Sequence, residues 1–240
     1  MAFAQLEKLS KMRSEKTLSY IDNLPASLSI DVPEDTKLTL NIASFEKLES
    51  SKIVVKVHRD ADFEAYMADF GVFQGKIEVL VELLEEGAEC NWHLSSMGTK
   101  DSKKEFITSV IHSAPHTTAS MSNYGIARDE SRLIFKGTGT IEKGAVKTNT
   151  KQVAKIIVFD PKSDGIASPA LVIDDNDVSA SHAAVVGRLN EQHLYYLQSR
   201  GISLEEAKRL IASGYLRPIE AGFADENVKN RIDSIIEGGF

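Results

Sequence analysis

The side chains with obvious metal-binding or nucleophilic chemistry are six histidines, one cysteine and a run of aspartates. They are His58, His93, His112, His116, His182, His193, Cys90 and the stretch Asp174-Asp175-Asn176-Asp177. A lone thiol cannot close an internal disulfide, and by itself it cannot hold a cluster or a structural zinc. Cys90 lacks the sequence context of a nucleophile, and with Trp92 nearby it reads as a core or strand residue. His112 and His116 are four apart, which makes a zinc pair only on a helix. Pro115 intervenes and Thr117-Thr118 follow, so the chain there is expected to be extended. On a strand the two rings would stand about 13 Å apart, too far for one ion. That pair reads as a polar strand edge and turn. Calcium loops use carboxylates like Asp174, Asp175 and Asp177, but nothing here completes one. Asp and Asn are default turn residues, and a turn outweighs a metal site by roughly four to one. No Gly-x-Ser-x-Gly elbow is present. Gly137-Thr138-Gly139 lies inside an apparent strand without the Lys-Ser/Thr of a phosphate loop, so any ATP chemistry would belong to a partner.

His182 differs from the other histidines. It sits in Ser179-Ala-Ser-His-Ala-Ala-Val-Val-Gly187, where small neighbours leave an imidazole free to meet another chain or a metal. On the residues alone, a structural histidine is still the stronger reading.

The elements that must position these groups change character along the chain. Phe3, Leu6, Leu9, Met12, Leu18 and Ile21 are spaced as on a short amphipathic helix ending before Pro25. From Leu38 onward come short β-type runs: Leu38–Ala43, Lys52–His58, Lys76–Leu84, Lys104–His112, Arg132–Gly137, Lys155–Phe159 and Ala170–Ile173. Their spacing of about 12 to 15 residues is slightly wider than that of a sandwich meander. Two-residue hairpin signals are nearly absent apart from Asp164-Gly165, which favours strands joined by coil corners, as in a β-helix. The pattern alone leaves solenoid and sandwich both open.

After Asn190 the pattern is helical. Asn190 can cap Glu191–Arg200, and Gly201 stands where a left-handed C-terminal residue is wanted. Ser203-Leu-Glu-Glu206 is a capping box for a helix over Leu204–Ser213 that ends at Gly214, with a break at Pro218. A last helix over Asn227–Ile236 carries Val228, Ile232, Ile235 and Ile236 on one face. The expected division is an N-terminal helical segment (1–35), a β-helix core (36–188) and a C-terminal helical region (189–240).

The hydrophobic content of 42% suits a chain that buries a real core, and the net charge of −7 argues against broad binding to nucleic acid or anionic membranes. No apolar run approaches the roughly 18 residues of a membrane span, and Met1 to Asn23 lacks a signal core. With a single cysteine, a cytoplasmic setting is expected.

Several stretches combine into a specific pattern: Ser168-Pro-Ala-Leu-Val-Ile173, Asp177-Val178, Ser181-His182, Gly187, Leu189-Asn-Glu-Gln-His-Leu-Tyr-Tyr-Leu197 and Ser199-Arg-Gly-Ile202. Together they resemble the C-terminal signature of the SufB/SufD family, in which P-x-L-x-I leads to D-V-x-C-S-H-G and then to a helix ending Y-L-x-S-R-G-I. Glu205-Glu206-Ala207, Leu210–Tyr215, His112-Ser-Ala-Pro-His116-Thr-Thr and Phe135-Lys-Gly137 look like further landmarks, so the likeness covers roughly Ile111 to Pro218. It implies a right-handed parallel β-helix with a C-terminal helical region and a non-enzymatic role in iron–sulfur cluster assembly. It also implies docking of a SufC-like ABC ATPase on Leu194, Tyr195, Leu197, Arg200, Gly201, Ala207 and Leu210. A SufB-like protein, or a second copy, would pair β-helix to β-helix. The family's S-H histidine falls on His182, at the subunit interface, where neutral imidazole could ligate iron.

The subtype looks SufD-like, because the flanks of His182 are Ser181 and Ala183 and no cysteine follows residue 90. This chain alone should hold no cluster stably; one would sit transiently at the interface. Ala180 replaces the family's cysteine, Ala183 replaces its glycine, and most of the family's N-terminal helical domain has no counterpart here. A minimal SufD-like protein is the expectation. Two alternatives remain: a β-helical carbohydrate-active or acyl-transfer enzyme using Asp174, Asp175 or His182, and a generic β-helical interaction module. The enzyme reading lacks a secretion signal and a hexapeptide repeat. The module reading fits Ala180 and Ala183.

Overall fold

The computed structural model describes residues 14–239. Among them the chain winds through thirteen strands that alternate between two sheets. The strands are β1 (Ser14–Ile21), β2 (Ser27–Val32), β3 (Thr36–Ser44), β4 (Ser51–Val57), β5 (Asp62–Asp69), β6 (Gln74–Leu83) and β7 (Glu89–Gly98). They continue with β8 (Lys103–His112), β9 (Thr118–Ala127), β10 (Arg132–Ile141), β11 (Asn149–Val158), β12 (Asp164–Ile173) and β13 (Ser179–Arg188). Odd strands form one parallel sheet in the order β1-β3-β5-β7-β9-β11-β13, and even strands form the other, from β2 to β12. Each odd strand hydrogen-bonds to the odd strand one coil away, and each even strand likewise, so the chain is a β-helix of about six turns. The scarcity of hairpin turns has this cause: every neighbour is parallel, and no strand reverses on the next.

The side-chain period of two sends alternate residues into the space between the sheets. In-register stacking then lines up equivalent positions of successive coils. One such column runs Leu40, Ala65, Trp92, Met121, Gln152, His182, and its neighbour runs Leu38, Phe63, Cys90, Ala119, Thr150, Ala180. On the facing sheet, Val32, Val57, Leu83, His112, Ile141 and Ile173 share a column. The early members are buried and apolar; polar and small residues take over towards β13.

Polar groups inside are paired where they are charged. Lys104 and Asp69 are wholly buried, with Nζ 2.7 Å from Asp69 Oδ2 and a further donation to the Met97 carbonyl at 2.9 Å. Ser96 Oγ donates to the same carboxylate oxygen at 2.7 Å. Burial pushes the Asp69 carboxyl up and the Lys104 ammonium down, and each charge holds the other against that trend. The pair ties the odd sheet to the even one across the lumen. On the outside, His58 bridges three coils, with Nε2 2.8 Å from Asp31 and Nδ1 3.1 Å from Glu85. The hydrogen bond to Glu85, together with Asp31, raises the His58 pKa above its ordinary value.

Helices α1 (Glu191–Ser199), α2 (Leu204–Leu216) and α3 (Glu226–Gly238), with a 3-10 turn at Arg217–Gly222, follow the last strand. Ala212, Leu216, Ile219, Phe223, Val228, Ile232 and Ile236 close over Ala43, Ala68, Phe70, Met97 and Ile126 on the outside of the odd sheet. The caps are those the sequence implies. Asn190 Oδ1 accepts from the Gln192 and His193 amides, Ser203 Oγ accepts from the Glu206 amide, and Gly201 takes φ +86°.

Three expectations are corrected. The N-terminal helix is not formed over residues 14–21, which are β1, and β2 follows inside the expected helical segment 1–35; the rest of that expectation, residues 1–13, lies outside the described residues. Thr17, Tyr20 and Ile21 suit a strand, and β3 offers a ready ladder to pair with, so the helical spacing of Leu18 and Ile21 does not decide. β5, β7, β9 and β13 were not marked by the apolar runs, because their outward residues are Glu64, Asn91, Ser120 and Ser181 and many of their inward ones are Ala, Ser or Gly. Finally, α2 does not stop at Gly214. It continues to Leu216 and passes into the 3-10 turn with Pro218 in its first turn. Burial of Leu216 and Ile219 outweighs the roughly 1 kcal/mol cost of a helical glycine.

Lys104→Ala is expected to leave Asp69 as a buried carboxylate without its cation and to cost ~3–5 kcal/mol in urea unfolding. A loss under about 1 kcal/mol would show that the pair does not hold the sheets together.

Candidate functional site

The solenoid ends without a covering coil. β13 pairs only with β11, and β12 only with β10 among the described strands, so one edge of each carries unpaired backbone groups. Two positions that are buried one coil lower, Ile173 over Ile141 and Val186 over Ile156, come into the open here, and outward Val172 and Val185 are exposed beside them. Val172, Ile173, Val185 and Val186 are 48%, 40%, 53% and 43% exposed. The runs Ala170-Leu-Val-Ile173 and Ala183-Ala-Val-Val186 are apolar on both faces, which is the signature of strands covered on both sides. That signal was available in the sequence and points to a partner surface.

His182 belongs to this open end. It is the register partner of Gln152 and faces the lumen, exposed because nothing stacks above it. Ala180 and Ala184 flank it on the same face and leave the ring room to turn. Among the described residues no three His, Cys, Asp or Glu groups converge as a metal site.

The helical residues lie on the opposite face of the same strand. Tyr195, Arg200, Gly201 and Leu210 are exposed, and Leu194 and Leu197 are half-buried. Ala207 lies on the buried face of α2 itself, so it packs the helix and offers no contact surface. α1 buries none of its residues, and Tyr195 and Tyr196 are 75% and 57% exposed. Between β13, α1 and α2 runs a groove of about 550 Å³, lined by Lys155, Val185, Arg188, His193, Leu210 and Tyr215 among others. Lys155 and Arg188 carried no motif and were not singled out by sequence.

The remaining candidates are structural. Cys90 is buried beside Trp92, and desolvation pushes its thiol up to about 12. The indole Nε1 of Trp92 donates to Asn123 Oδ1 at 3.1 Å. His116 occupies a turn with φ +57°, as expected, but His112 is no strand edge: it closes β8 facing the lumen, wholly buried. Its Nδ1 lies 2.8 Å from Thr117 Oγ1, and burial lowers its pKa to about 4. Asp175 accepts from the Gly144 and Asp177 amides, which hold its carboxyl below the usual range; it is a turn residue. His93 stacks on Tyr66 at 4.8 Å, and burial depresses its pKa. His193 stands in the first turn of α1, where its amide donates to Asn190.

A parallel β-helix with a bare final coil, an S-H histidine at its mouth and a helical tail is the arrangement the motifs pointed to. Residues 28–215 match the family described as "SUF system FeS cluster assembly, SufBD core domain". The chain belongs to the SufBD family. Within the SufBD family it is SufD-like: it is 40% identical over 141 residues to the iron–sulfur cluster assembly protein SufD of Bacillus subtilis, covering 59% of this chain and 32% of that protein. A SufBD family protein of Staphylococcus epidermidis is 27% identical over 136 residues, covering 57% of this chain and 29% of the relative. One from Mycobacterium tuberculosis is 28% identical over 120 residues, covering 50% of this chain and 14% of the relative. The chain thus spans a third or less of the length of these curated relatives. No helix among the described residues is long and apolar enough to cross a membrane.

Two measurements test these assignments. Cys90 is expected to resist iodoacetamide at pH 8 in the folded chain and to react once urea is added, as read by intact mass; prompt labelling of the folded chain would contradict the buried thiol. His112 should make stability fall with acid. Its folded pKa lies below the unfolded value, so the unfolded state binds more protons as pH drops from about 6.5 to about 4. That window is worth up to about 3 kcal/mol. In urea unfolding at pH 7 and pH 4.5, the gap between the two is expected to shrink in His112→Asn; an unchanged gap would remove His112 as a cause.

Proposed function

We propose that this chain acts as a SufD-like, non-catalytic subunit in iron–sulfur cluster assembly. It pairs through the open end of its β-helix with a SufB-like chain or a second copy, and it holds His182 at that junction. The observation that carries the reading is the bare last coil, with unpaired strand edges and the half-exposed inward side chains of Ile173 and Val186 at the same open mouth as His182. Unpaired strand edges take up another chain by strand addition, and apolar rims gain from the same contact. A cluster in transit is cargo here. His182 can supply one neutral nitrogen ligand, and the thiolates that soft iron–sulfur chemistry needs would come from the partner, since Cys90 is deep in the core.

The second contact is with a SufC-like ABC ATPase on the helical tail. It is supported by α1, which buries nothing of its own, and by the exposed rings of Tyr195 and Tyr196 beside Leu210. Amphipathic aromatic rings with one wet end are suited to such interfaces. The charge of −7 favours protein partners over nucleic acid or anionic membrane.

Co-expression with a SufB-like chain and a SufC-like ATPase is expected to yield a complex that survives gel filtration. His182→Ala should keep the complex and lower the cluster formed, read by visible absorbance, by tenfold or more, the scale of losing one metal ligand or its support. Failure of either partner to co-purify, or unchanged cluster yield with His182→Ala, would overturn the corresponding half of the proposal.

A further inference from the structure

Two buried polar atoms of β11 below the open end have no partner, Thr150 Oγ1 and Gln152 Oε1. Gln152 is 3% exposed, and its side chain crosses the lumen from β11 towards the even sheet. Its Nε2 donates to the Ala170 carbonyl at 2.9 Å, while its Oε1 accepts nothing. A flipped amide would set oxygen against the Ala170 carbonyl, so the hydrogen bond fixes which end is which. Space for the oxygen exists because β10 has glycine opposite: a Cβ on Gly137 would lie 2.6 Å from Oε1. Thr150 cannot readily satisfy it. Its hydroxyl lies at the other end of the amide, since a Cβ on Gly139 would meet Thr150 Oγ1 at 3.2 Å and Gln152 Nε2 at 3.0 Å. A buried acceptor left unmade costs about 1–3 kcal/mol. The next rung of the same inward column is His182.

We propose that Gln152 is a positioning residue for His182. Its Oε1 accepts the N–H of the imidazole once the ring swings down over the mouth, about one strand spacing (~4.8 Å) away. This fixes one tautomer and turns the lone pair of the other nitrogen outward, towards whatever docks on the last coil. An acceptor behind a ligating imidazole orients the ring and raises the basicity of the exposed nitrogen. The idea rests on the reading of His182 as a ligand, and it adds the group that aims it.

The test uses the full chain with 15N-labelled histidine at pH 8, with the His182 signals assigned by their loss in His182→Ala. In the unmodified chain the two ring-nitrogen resonances of His182 are expected to be well separated, as for one dominant tautomer. In Gln152→Leu they should move together towards the average of a freely exchanging imidazole. Gln152→Glu, which keeps an acceptor, should hold them apart; Gln152→Met repeats the loss with a side chain of similar length if Leu disturbs the fold. Cobalt(II), as the metal probe, should bind about tenfold more weakly to Gln152→Leu than to the unmodified chain. Ring-nitrogen resonances that are the same in Gln152→Leu and Gln152→Met as in the unmodified chain would overturn the proposal. A tautomer shift with Gln152→Leu, alongside cluster assembly that does not need His182, would uphold the positioning and sink the ligand role instead.

Discussion

Everything in this molecule follows from stacking coils in register. A parallel coil is template and lid at once: its backbone pairs upward and downward, and its inward side chains need a layer on either side. Within the stack this covers the apolar side chains on both sides, which is why Val57, Leu83, Phe63 and Trp92 are wholly buried. It also means that the requirement cannot be met at an end. β12 and β13 inherit the columns below them and have nothing above, so branched side chains and backbone edges that would vanish one coil earlier remain in solvent. The open end is a consequence of the architecture before it is a feature of any one residue.

Against that background the composition of the columns becomes informative. The column that begins with Leu40 and Ala65 passes through Trp92 and Met121 and turns polar at Gln152 and His182. Its neighbour falls in size from Phe63 to Ala180. An apolar cap of Leu or Ile at these last rungs would bury more surface if another solenoid simply sat on the end. Replacing it with an amide, an imidazole, a threonine and an alanine gives up hydrophobic gain of order 1–2 kcal/mol per side chain in exchange for room and donor chemistry. That exchange makes sense where the junction has work beyond adhesion.

The scarcity of hairpin turns leaned towards a solenoid but left a sandwich open, and the resemblance in the C-terminal motifs implied the β-helix; the helix caps were legible as local chemistry, since Asn190, Gly201 and Ser203 behave as their types dictate. Sequence reading failed where burial is set by distant neighbours. Four of the seven odd strands went unmarked; on β7 and β9, Ser95, Ser96 and Gly125 carry no apolar signal although the stack buries them as completely as valine. Leu18 and Ile21 are spaced as on a helix face, whereas on β1 they point to opposite sides of the sheet, and only β3, twenty-two residues downstream in register, decides for the strand. His112 looked like a surface histidine for the same reason: its column partners Leu83 and Ile141 are remote in sequence. His182 was legible as a site only by its motif, and Gln152 was not legible at all, because nothing local marks an amide that will face an imidazole one coil later.

The Lys104–Asp69 pair shows how the same constraint shapes electrostatics. Two charges in the lumen would each be unfavourable, yet at 2.7 Å, with Ser96 and two backbone carbonyls as further partners and Asp69 Oδ1 left without one, they link sheets that share no ladder hydrogen bonds. Stacking alone ties coil to coil along the axis, while across the lumen only side chains connect the two sheets. An ion pair there adds direction that dispersion contacts do not have, and it sits at the level where the helical tail packs on the outside, against Phe70 and Met97. The lower solenoid is thereby braced from within and without. The last coil and α1 bury none of their own residues and so have surface to offer.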